Sequence, residues 1–301
     1  MKLSRAILPG TLAAVSAVLL VLPSACNAAQ RAKRAPRIGQ PLAWAPPRLQ
    51  NPTTVRVTSA ARWLSLDPNR DYRVELPAHP IVGVGGVVID GGHNVVLIGG
   101  EIHVPWHGES TDATSRRGLY LVNQTGTVHI EGVRIGGADL SEGIDLSEPL
   151  GAVVQIENVR IDRIRAHDER TWSDNHPDLI QTWAGPAVLR VDGFTGSTDY
   201  QGFFLAPNQY GSQAPPRSID LRRINLISTH RCTCVLLWDS TSTPIHTADL
   251  WVAVAASRTL ASALWPGREA WPGARRGRPP GGDFVPSGTA GIGYRSPGYA
   301  R

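Results

Sequence analysis

The chain has 301 residues, 42% of them hydrophobic, and a formal net charge of +5. Residues 54–255 nevertheless contain sixteen arginines and twenty-three acids, a net charge of −7, so the excess of positive charge lies in the terminal segments. Basic tails on an acidic body do not indicate a nucleic-acid partner, and three cysteines are too few for a disulfide scaffold.

The N-terminal segment, residues 1–28, has the pattern of an export signal. A basic start is followed by the apolar run "AILPGTLAAVSAVLLVL" and by the small residues of "PSACNAA". The run is short for a membrane span, so we predict a cleaved signal peptide, no transmembrane domain, and a protein that is secreted or held at the cell envelope. Cleavage after Ala28 is the first interpretation, and a lipid anchor at Cys26 is the alternative.

Two further segments flank the centre of the chain. Residues 29–53 are a basic, proline-rich linker without any acid, and we expect little packed structure there because this composition cannot bury a core. Residues 256–301 are rich in Gly, Pro and Arg, which opposes regular structure. They form either a C-terminal cap packed along the neighbouring domain or a mobile tail.

The central segment, residues 54–255, contains an internal repeat. "VHIEGVRI" (128–135) and "VQIENVRI" (154–161) are near copies, and looser copies begin at positions 97, 189 and 219. Their shared pattern, apolar-x-apolar-x-x-apolar-x-apolar, predicts two short strands that meet at a bend.

Another strand precedes each copy, and its alternate positions are predicted to face a core. Because one repeat is too small to bury its own apolar face, the repeats are expected to stack as a parallel β-solenoid. The inward positions are Val87, Leu119, Ile144, Ile180, Phe203 and Val235, followed two residues later by Ile89, Leu121, Leu146, Thr182, Leu205 and Leu237.

On these repeats, residues 54–255 resemble the right-handed parallel β-helix proteins of the pectin-lyase-like superfamily. The resemblance implies an all-β fold, a right-handed parallel β-helix (β-solenoid) of about six or seven coils, and a polysaccharide or cell-wall glycan as partner. It rests on the repeat and not on a catalytic motif, and one fold supports many chemistries.

The outward positions follow from the inward ones by parity. They bring acids and amides of neighbouring coils together, and the long loops 103–112 and 165–176 open on the same side. Loops on a rigid scaffold commonly carry function. We therefore predict a cleft with the catalytic residues Asp178, Asp174, His176, Glu142 and Asp145, and with the substrate-binding residues Gln181, Trp183, Gln201, Tyr200, His230, Arg231, Trp238 and His167.

Clustered carboxyl groups favour glycoside hydrolysis, which needs one protonated and one ionised carboxyl group. Stacked coils place Asp178 beside Glu142, and like charges about 5 Å apart raise the pKa of one partner. Polygalacturonase-type β-helix hydrolases also use clustered aspartates. Their adjacent Asp-Asp pair is missing here, so this comparison rests on chemistry and not on a motif.

Two other functions compete with hydrolysis. A polysaccharide lyase would use an arginine base and Ca²⁺ held by Glu142, Asp145 and Asp178; a lysine base is excluded, because both lysines, Lys2 and Lys33, precede the repeats. A non-catalytic glycan- or cell-wall-binding solenoid would favour aromatic residues and amides, whereas acids and histidines predominate in the predicted cleft. No GxSxG motif supports a serine esterase.

Overall fold

The repeated apolar alternation produces parallel strands in two long sheets. The computed structural model describes residues 39–108, 112–166, 177–210, 214–229, 235–238 and 243–299, all within the compact unit Pro36–Arg301. The predicted signal peptide and the start of the linker lie outside the described residues. So do five of the predicted site residues: His167, Asp174, His176, His230 and Arg231.

Short strands with tight turns dominate the described part of the chain. The short 3₁₀ helices are Ala113–Arg116, Ala261–Ala263 and Arg268–Ala270. The strands are β1 (Thr53–Arg56), β2 (Trp63–Leu66), β3 (Tyr72–Glu75), β4 (Ile81–Val82), β5 (Val87–Gly91), β6 (Val95–Ile98), β7 (Glu101–His103), β8 (Arg117–Val122), β9 (Thr127–Glu131), β10 (Arg134–Gly136), β11 (Glu142–Ser147), β12 (Val153–Ile164), β13 (Ile180–Ala184), β14 (Val188–Thr198), β15 (Phe203–Leu205), β16 (Ser218–Ser228), β17 (Leu236–Trp238), β18 (Ile245–Ala253), β19 (Leu264–Trp265) and β20 (Arg275–Arg276).

From β11 onward, successive strands alternate between the two sheets, whereas the earlier pairs β3 and β4, β6 and β7, and β9 and β10 each lie in the same sheet. The eight-stranded sheet has the order β2-β5-β8-β11-β13-β15-β17-β19. The twelve-stranded sheet has the order β1-β3-β6-β9-β12-β14-β16-β18-β20, with β4, β7 and β10 joined at its side. The pairs of named strands are parallel. The protein is therefore all-β with long parallel sheets, an arrangement compatible with a β-solenoid.

The predicted inward positions form the core between the sheets. Their first set stacks in register from Val87 through Leu119, Ile144 and Ile180 to Phe203. Each of these side chains is fully buried. This burial confirms the prediction that these positions face inward. The prediction was possible because alternation of apolar and polar residues fixes the register of a strand wherever its other face is polar.

The prediction for β17 is wrong by one residue in the pairing register, although Val235 itself is fully buried as expected. Phe203 pairs with Leu236, and Leu205 pairs with Trp238. Trp238 is therefore a core residue, 2% exposed, and not an outward substrate-binding residue, while Leu237 faces outward. The sequence "VLLW" is apolar at every position, so alternation cannot choose the register there, and burying the large indole decides it.

The predicted bend within each repeat coincides with left-handed backbone. Gly132, Asn158 and Gly193 have φ values of 67°, 54° and 64° at equivalent positions, a conformation that Gly and Asn adopt most readily. Gly132 is also required by packing, because a Cβ atom there would lie 2.1 Å from the ring of Tyr294. Because the ring of Tyr294 fills the space beside this bend, a residue with a side chain does not fit at position 132.

The described part of the predicted linker is packed. The N–H groups of Ala43 and Trp44 donate to the carboxylate of Glu157 at 2.7 and 3.1 Å. The guanidinium groups of Arg190 and Arg222 lie 5.7 and 4.8 Å from the ring centre of Trp44. We name this stretch, residues 39–52, the N-terminal strap. Little packed structure was expected here, but hydrogen bonds to a buried carboxylate and two cation–π contacts hold the strap in place.

The C-terminal segment packs along the same sheet. Asp283 accepts a hydrogen bond from Asn225 at 2.9 Å, and further along the chain Tyr294 donates to Glu131 at 2.6 Å. Arg73 on β3 donates to the hydroxyl of Tyr299 at 3.2 Å. The segment thus runs back across the twelve-stranded sheet from β16 to β3, so the packed alternative holds and the mobile one does not. Within the described ranges, no helix is long and apolar enough to cross a bilayer.

Candidate functional site

One column of side chains runs along the outer face of the eight-stranded sheet, with one residue from each strand. It spans about 34 Å, since seven steps separate eight strands about 4.8 Å apart. Its ends are aromatic and its centre is polar. This outer ladder consists of Trp63, Val88, Tyr120, Asp145, Gln181, Phe204, Leu237 and Trp265.

A second outward row lies beside the outer ladder at the start of the same strands. Glu142 pairs in register with Arg117. The N–H of Gly143 donates to the carbonyl of Asp178 at 2.8 Å, and the N–H of Gln201 donates to the carbonyl of Pro177 at 3.1 Å. The backbone therefore brings Glu142, at the start of β11, beside Asp178 and Gln201, which lie two residues before β13 and β15, as the sequence predicted.

Arg117 lies at the junction of these two rows. Its Nε atom is 2.7 Å from Glu142 Oε2 and 2.7 Å from Asp145 Oδ2. Its guanidinium carbon is 4.8 Å from the ring centre of Tyr120 and 4.5 Å from that of Trp183. Burial alone would lower the pKa of Arg117, but the charges of Asp145 and Glu142 hold it above its ordinary value. Arg117 is therefore a fixed positive charge between two carboxyl groups.

Asp145 is a buried acid at the centre of the outer ladder. Burial raises its pKa well above the ordinary value; the charge of Glu142 adds to the shift, the charge of Arg117 opposes it, and Asp178 raises it further. Oδ2 of Asp145 contacts Nε of Arg117, and beyond this contact neither carboxyl oxygen accepts a hydrogen bond from the described residues. Asp145 therefore keeps its proton at a pH where an exposed aspartate is ionised, and its interaction with Glu142 adds to the rise in its pKa.

Three amide atoms beside the carboxyl groups have no hydrogen-bond partner among the described residues. Gln181, paired with Asp145 in the outer ladder, is fully buried, and its Oε1 and Nε2 atoms have no hydrogen-bond partner among the described residues. The same is true of Oε1 of Gln201. Leaving a buried polar group unsatisfied costs about 1–3 kcal/mol. A ligand rich in hydroxyl groups would satisfy these amides.

The structure brings together most of the predicted site residues that it describes. Glu142, Asp145, Asp178, Gln181 and Gln201 are neighbours. Trp183 lies at a register shift beside them, half-buried, with its ring 5.3 Å from that of Tyr120 in an edge-to-face contact.

Other predictions had a different outcome. Tyr200 is adjacent to Gln201 and half-buried, and its N–H donates to Oγ1 of Thr198 at 2.9 Å. Trp238 belongs to the core. Sequence reasoning missed the importance of Arg117, although it stands next to Glu142 in the predicted outward row. It also missed the exposed aromatic ends of the ladder, Trp63 and Trp265, because the outermost strands lack the repeat.

Among the described residues, the carboxyl groups of Glu142 and Asp145 contact a cationic side chain. In the parts of the chain that the structure describes, no three or more His, Cys, Asp or Glu side chains are placed to hold a metal ion. The predicted Ca²⁺ ligands Glu142 and Asp145 instead surround the guanidinium group of Arg117. Arginine thus supplies the cation there.

A groove of about 520 Å³ lies away from these acids, between the C-terminal segment and the twelve-stranded sheet. Its lining is largely glycine backbone and apolar side chains, such as Leu76, Ile98 and Ile292, which are unsuited to proton transfer. The outer ladder and its acids are therefore the better candidate site. No protein-family model, curated protein or solved structure matches the chain.

Proposed function

We propose that the protein is a secreted or envelope-held glycoside hydrolase that cleaves a polysaccharide lying along the outer ladder. The proposal includes the finer architecture expected from sequence, a right-handed parallel β-helix of the pectin-lyase-like type with about six or seven coils. The partner is a polysaccharide or cell-wall glycan, and the reaction relies on acid/base chemistry of carboxyl groups.

The observation that carries this proposal is the position of Asp145. Its proton is held by burial and by the neighbouring Glu142, and it lies midway along a column whose two ends are exposed aromatic side chains, Trp63 and Trp265. Aromatic rings suit the apolar faces of sugar rings, and unsatisfied amides suit their hydroxyl groups. An extended glycan along this column would place one bond over the protonated acid.

The reaction follows from these assignments. Asp145 donates its proton to the glycosidic oxygen as the bond from that oxygen to the anomeric carbon breaks. Asp178, two residues before the adjacent strand β13, removes a proton from the attacking water, whose oxygen bonds to the anomeric carbon. Arg117 holds Glu142 and stabilises the negative charge left on Asp145. Because Asp145 and Asp178 are fully buried, the Arg117 side chain must shift when a sugar enters.

Two nearly isosteric substitutions test the proposal. Asp145→Asn and Asp178→Asn should each keep the fold and lower glycan turnover by at least about 100-fold, since each removes one proton-transfer group. The matched control is Asp90→Asn, an outward aspartate two strands from Asp145, which should keep wild-type turnover. The assay is release of reducing ends from a panel of polysaccharides, with thermal denaturation as the test of folding.

The same panel separates the competing functions. A lyase would release unsaturated products with ultraviolet absorbance and would lose activity in chelator. A wild-type protein that binds glycans without cutting them would establish the binding function instead. Full turnover by Asp145→Asn would remove the proposed acid.

A further inference from the structure

A second group of reactive side chains lies outside the outer ladder, in the loops between β7 and β8 and between β10 and β11. Oγ of Ser115 is 2.8 Å from Nε2 of His107, and Nδ1 of His107 is 2.7 Å from Oδ2 of Asp139. We propose that these three residues form a catalytic triad that hydrolyses carboxylic esters of small acyl groups. This activity is separate from glycan cleavage.

The hydrogen-bond partners of His107 determine which nitrogen carries its proton. Nδ1 faces Oδ2 of Asp139 at 2.7 Å and the carbonyl of Pro105 at 3.0 Å. A carboxylate and a carbonyl only accept hydrogen bonds, so Nδ1 carries the proton of the neutral ring. Nε2 then presents its lone pair to Oγ of Ser115, the arrangement of a general base beside a serine nucleophile.

The hydroxyl of Ser115 has two acceptors within reach. Besides Nε2 of His107, the carbonyl of Asp112 lies 2.7 Å from Oγ. A hydroxyl proton rotates between acceptors at little cost. Ser115 is therefore able to direct its proton to His107 when a substrate carbonyl approaches.

Buried groups hold the acid and the base in place. Asp139 and Arg116 are both fully buried and form an ion pair. The backbone N–H of His107 donates to Oδ2 of Asp139 at 3.2 Å, and Nη2 of Arg116 donates to the carbonyl of Gly108 at 2.9 Å. The chain on both sides of the imidazole is thus fixed to the pair that orients it, as preorganised catalysis requires.

The surroundings of Ser115 suit a small acyl group. Ser115 is half-buried and the side chain of His107 is 16% exposed, so both remain in reach of solvent. The N–H of Gly85 donates to the carbonyl of Ser115 at 2.6 Å, which places Val84 close by. Val84 and Trp106 are 42% and 52% exposed, and together they offer apolar surface beside the nucleophile.

The reaction balances with water as the only co-reactant. Oγ of Ser115 attacks the carbonyl carbon and its proton passes to Nε2 of His107. The ester C–O bond breaks, and the departing alkoxide takes that proton and leaves as an alcohol. Water then gives a proton to His107 and its oxygen to the acyl carbon, and Ser115 regains its proton as the carboxylic acid leaves.

The first test is labelling of the wild-type protein, which requires no variant to fold. An alkyl fluorophosphonate should form a covalent bond to Oγ of Ser115 with loss of fluoride, and peptide mass spectrometry should find the added mass on that residue. An unlabelled protein, or a label on another residue alone, would overturn the proposal.

The second test measures hydrolysis of p-nitrophenyl acetate. Ser115→Ala should fall to the rate of the buffer blank, and Asp139→Asn should lose at least about 100-fold. The matched control Ser65→Ala, at an exposed serine on β2, should keep the wild-type ester rate. Wild-type ester hydrolysis by Ser115→Ala would also overturn the proposal.

Discussion

The outer faces of the two sheets differ in how their acids are satisfied. On the twelve-stranded sheet, Glu131 accepts hydrogen bonds from Tyr294 and Ser296 at 2.6 and 2.9 Å, and Glu157 accepts two from the N-terminal strap. On the eight-stranded sheet, Asp145 and Gln181 are equally buried. Apart from the contact of Asp145 with Arg117, their side chains accept no hydrogen bond from the described residues.

We therefore interpret the polar side chains of the first face as part of the framework that holds the protein together, and those of the second face as part of the proposed site. The terminal segments of the chain cover the first face and supply hydrogen bonds to Glu131 and Glu157. The second face keeps amide atoms without a partner among the described residues, at a site flanked by exposed aromatic rings. Buried polar groups that stay unsatisfied are destabilising, and functional sites are where such groups are commonly retained. The comparison yields four predictions about stability and binding.

The largest effect is expected at Arg117. Replacing it with Gln leaves Glu142 and Asp145 without their cation, and breaking a buried ion pair costs about 3–5 kcal/mol. The matched control is Arg56→Gln, since Arg56 pairs with Glu75 in an exposed salt bridge worth about 0–1 kcal/mol. Denaturant unfolding measures both variants. Equal losses in the free energy of unfolding would show that Glu142 and Asp145 do not depend on Arg117.

A smaller loss is expected from Tyr294→Phe on the covered face. The change removes the hydroxyl that donates to Glu131 and accepts from Asn158, at a cost of about 1–3 kcal/mol for buried groups left without a partner. Tyr210→Phe, at a tyrosine that is 68% exposed, should change little. If the two variants unfold alike, the C-terminal segment contributes nothing to the covered face.

The pH dependence of stability should reveal Glu157. Burial raises its pKa from 4.5 to about 7, although the N–H groups of Ala43 and Trp44 oppose the shift. Between these values the folded state binds more protons than the unfolded state. Its contribution to the free energy of unfolding therefore falls as pH rises from about 4.5 to about 7, by at most about 1.4 kcal/mol per pH unit.

Glu157→Gln cannot titrate and should flatten that slope. Denaturant unfolding at several pH values, with Glu75→Gln as an exposed control on the same sheet, measures the difference. A slope unchanged in Glu157→Gln would mean that another group causes it.

The smallest effect is expected at the ends of the outer ladder. Trp63→Ala and Trp265→Ala change exposed side chains, 74% and 48% exposed, and should shift stability by only about 0.5 kcal/mol. If sugars stack there, the KM for a long glycan should rise roughly 2–10-fold while that for a short one stays constant. Tyr210→Ala, another exposed aromatic change, is the control. Equal KM values for long and short glycans would restrict binding to the centre of the ladder.

Much of this arrangement could be predicted from the sequence, for physical reasons that also explain the failures. Strict alternation placed Ile144 and Ile180 in the core and Asp145 and Gln181 on the outside, because a one-residue slip would bury the acids among aliphatic side chains. Where alternation disappears, as at Trp238, parity gives no guidance.

The parts that could not be predicted depend on long-range contacts. The pairing of Tyr294 with Glu131 joins residues 163 positions apart, and nothing local in a Gly- and Pro-rich segment indicates it. The Ser115, His107 and Asp139 cluster is similar, since triads are recognised by geometry and not by spacing. The absence of a GxSxG motif therefore argues against one family of serine esterases, but it does not exclude ester hydrolysis by a serine nucleophile.

The C-terminal segment runs back along the twelve-stranded sheet, and we expect it to make the unfolding of the stacked repeats more cooperative. A stack of repeats is held by contacts between nearest neighbours, so its ends can fray and parts of it can form independently. Here Asn225 on β16 binds Asp283, and Arg73 on β3 binds Tyr299, so the C-terminal segment connects late strands to early ones. A chain truncated before Asp283 would lack both contacts, and its repeats would be held by their nearest neighbours alone.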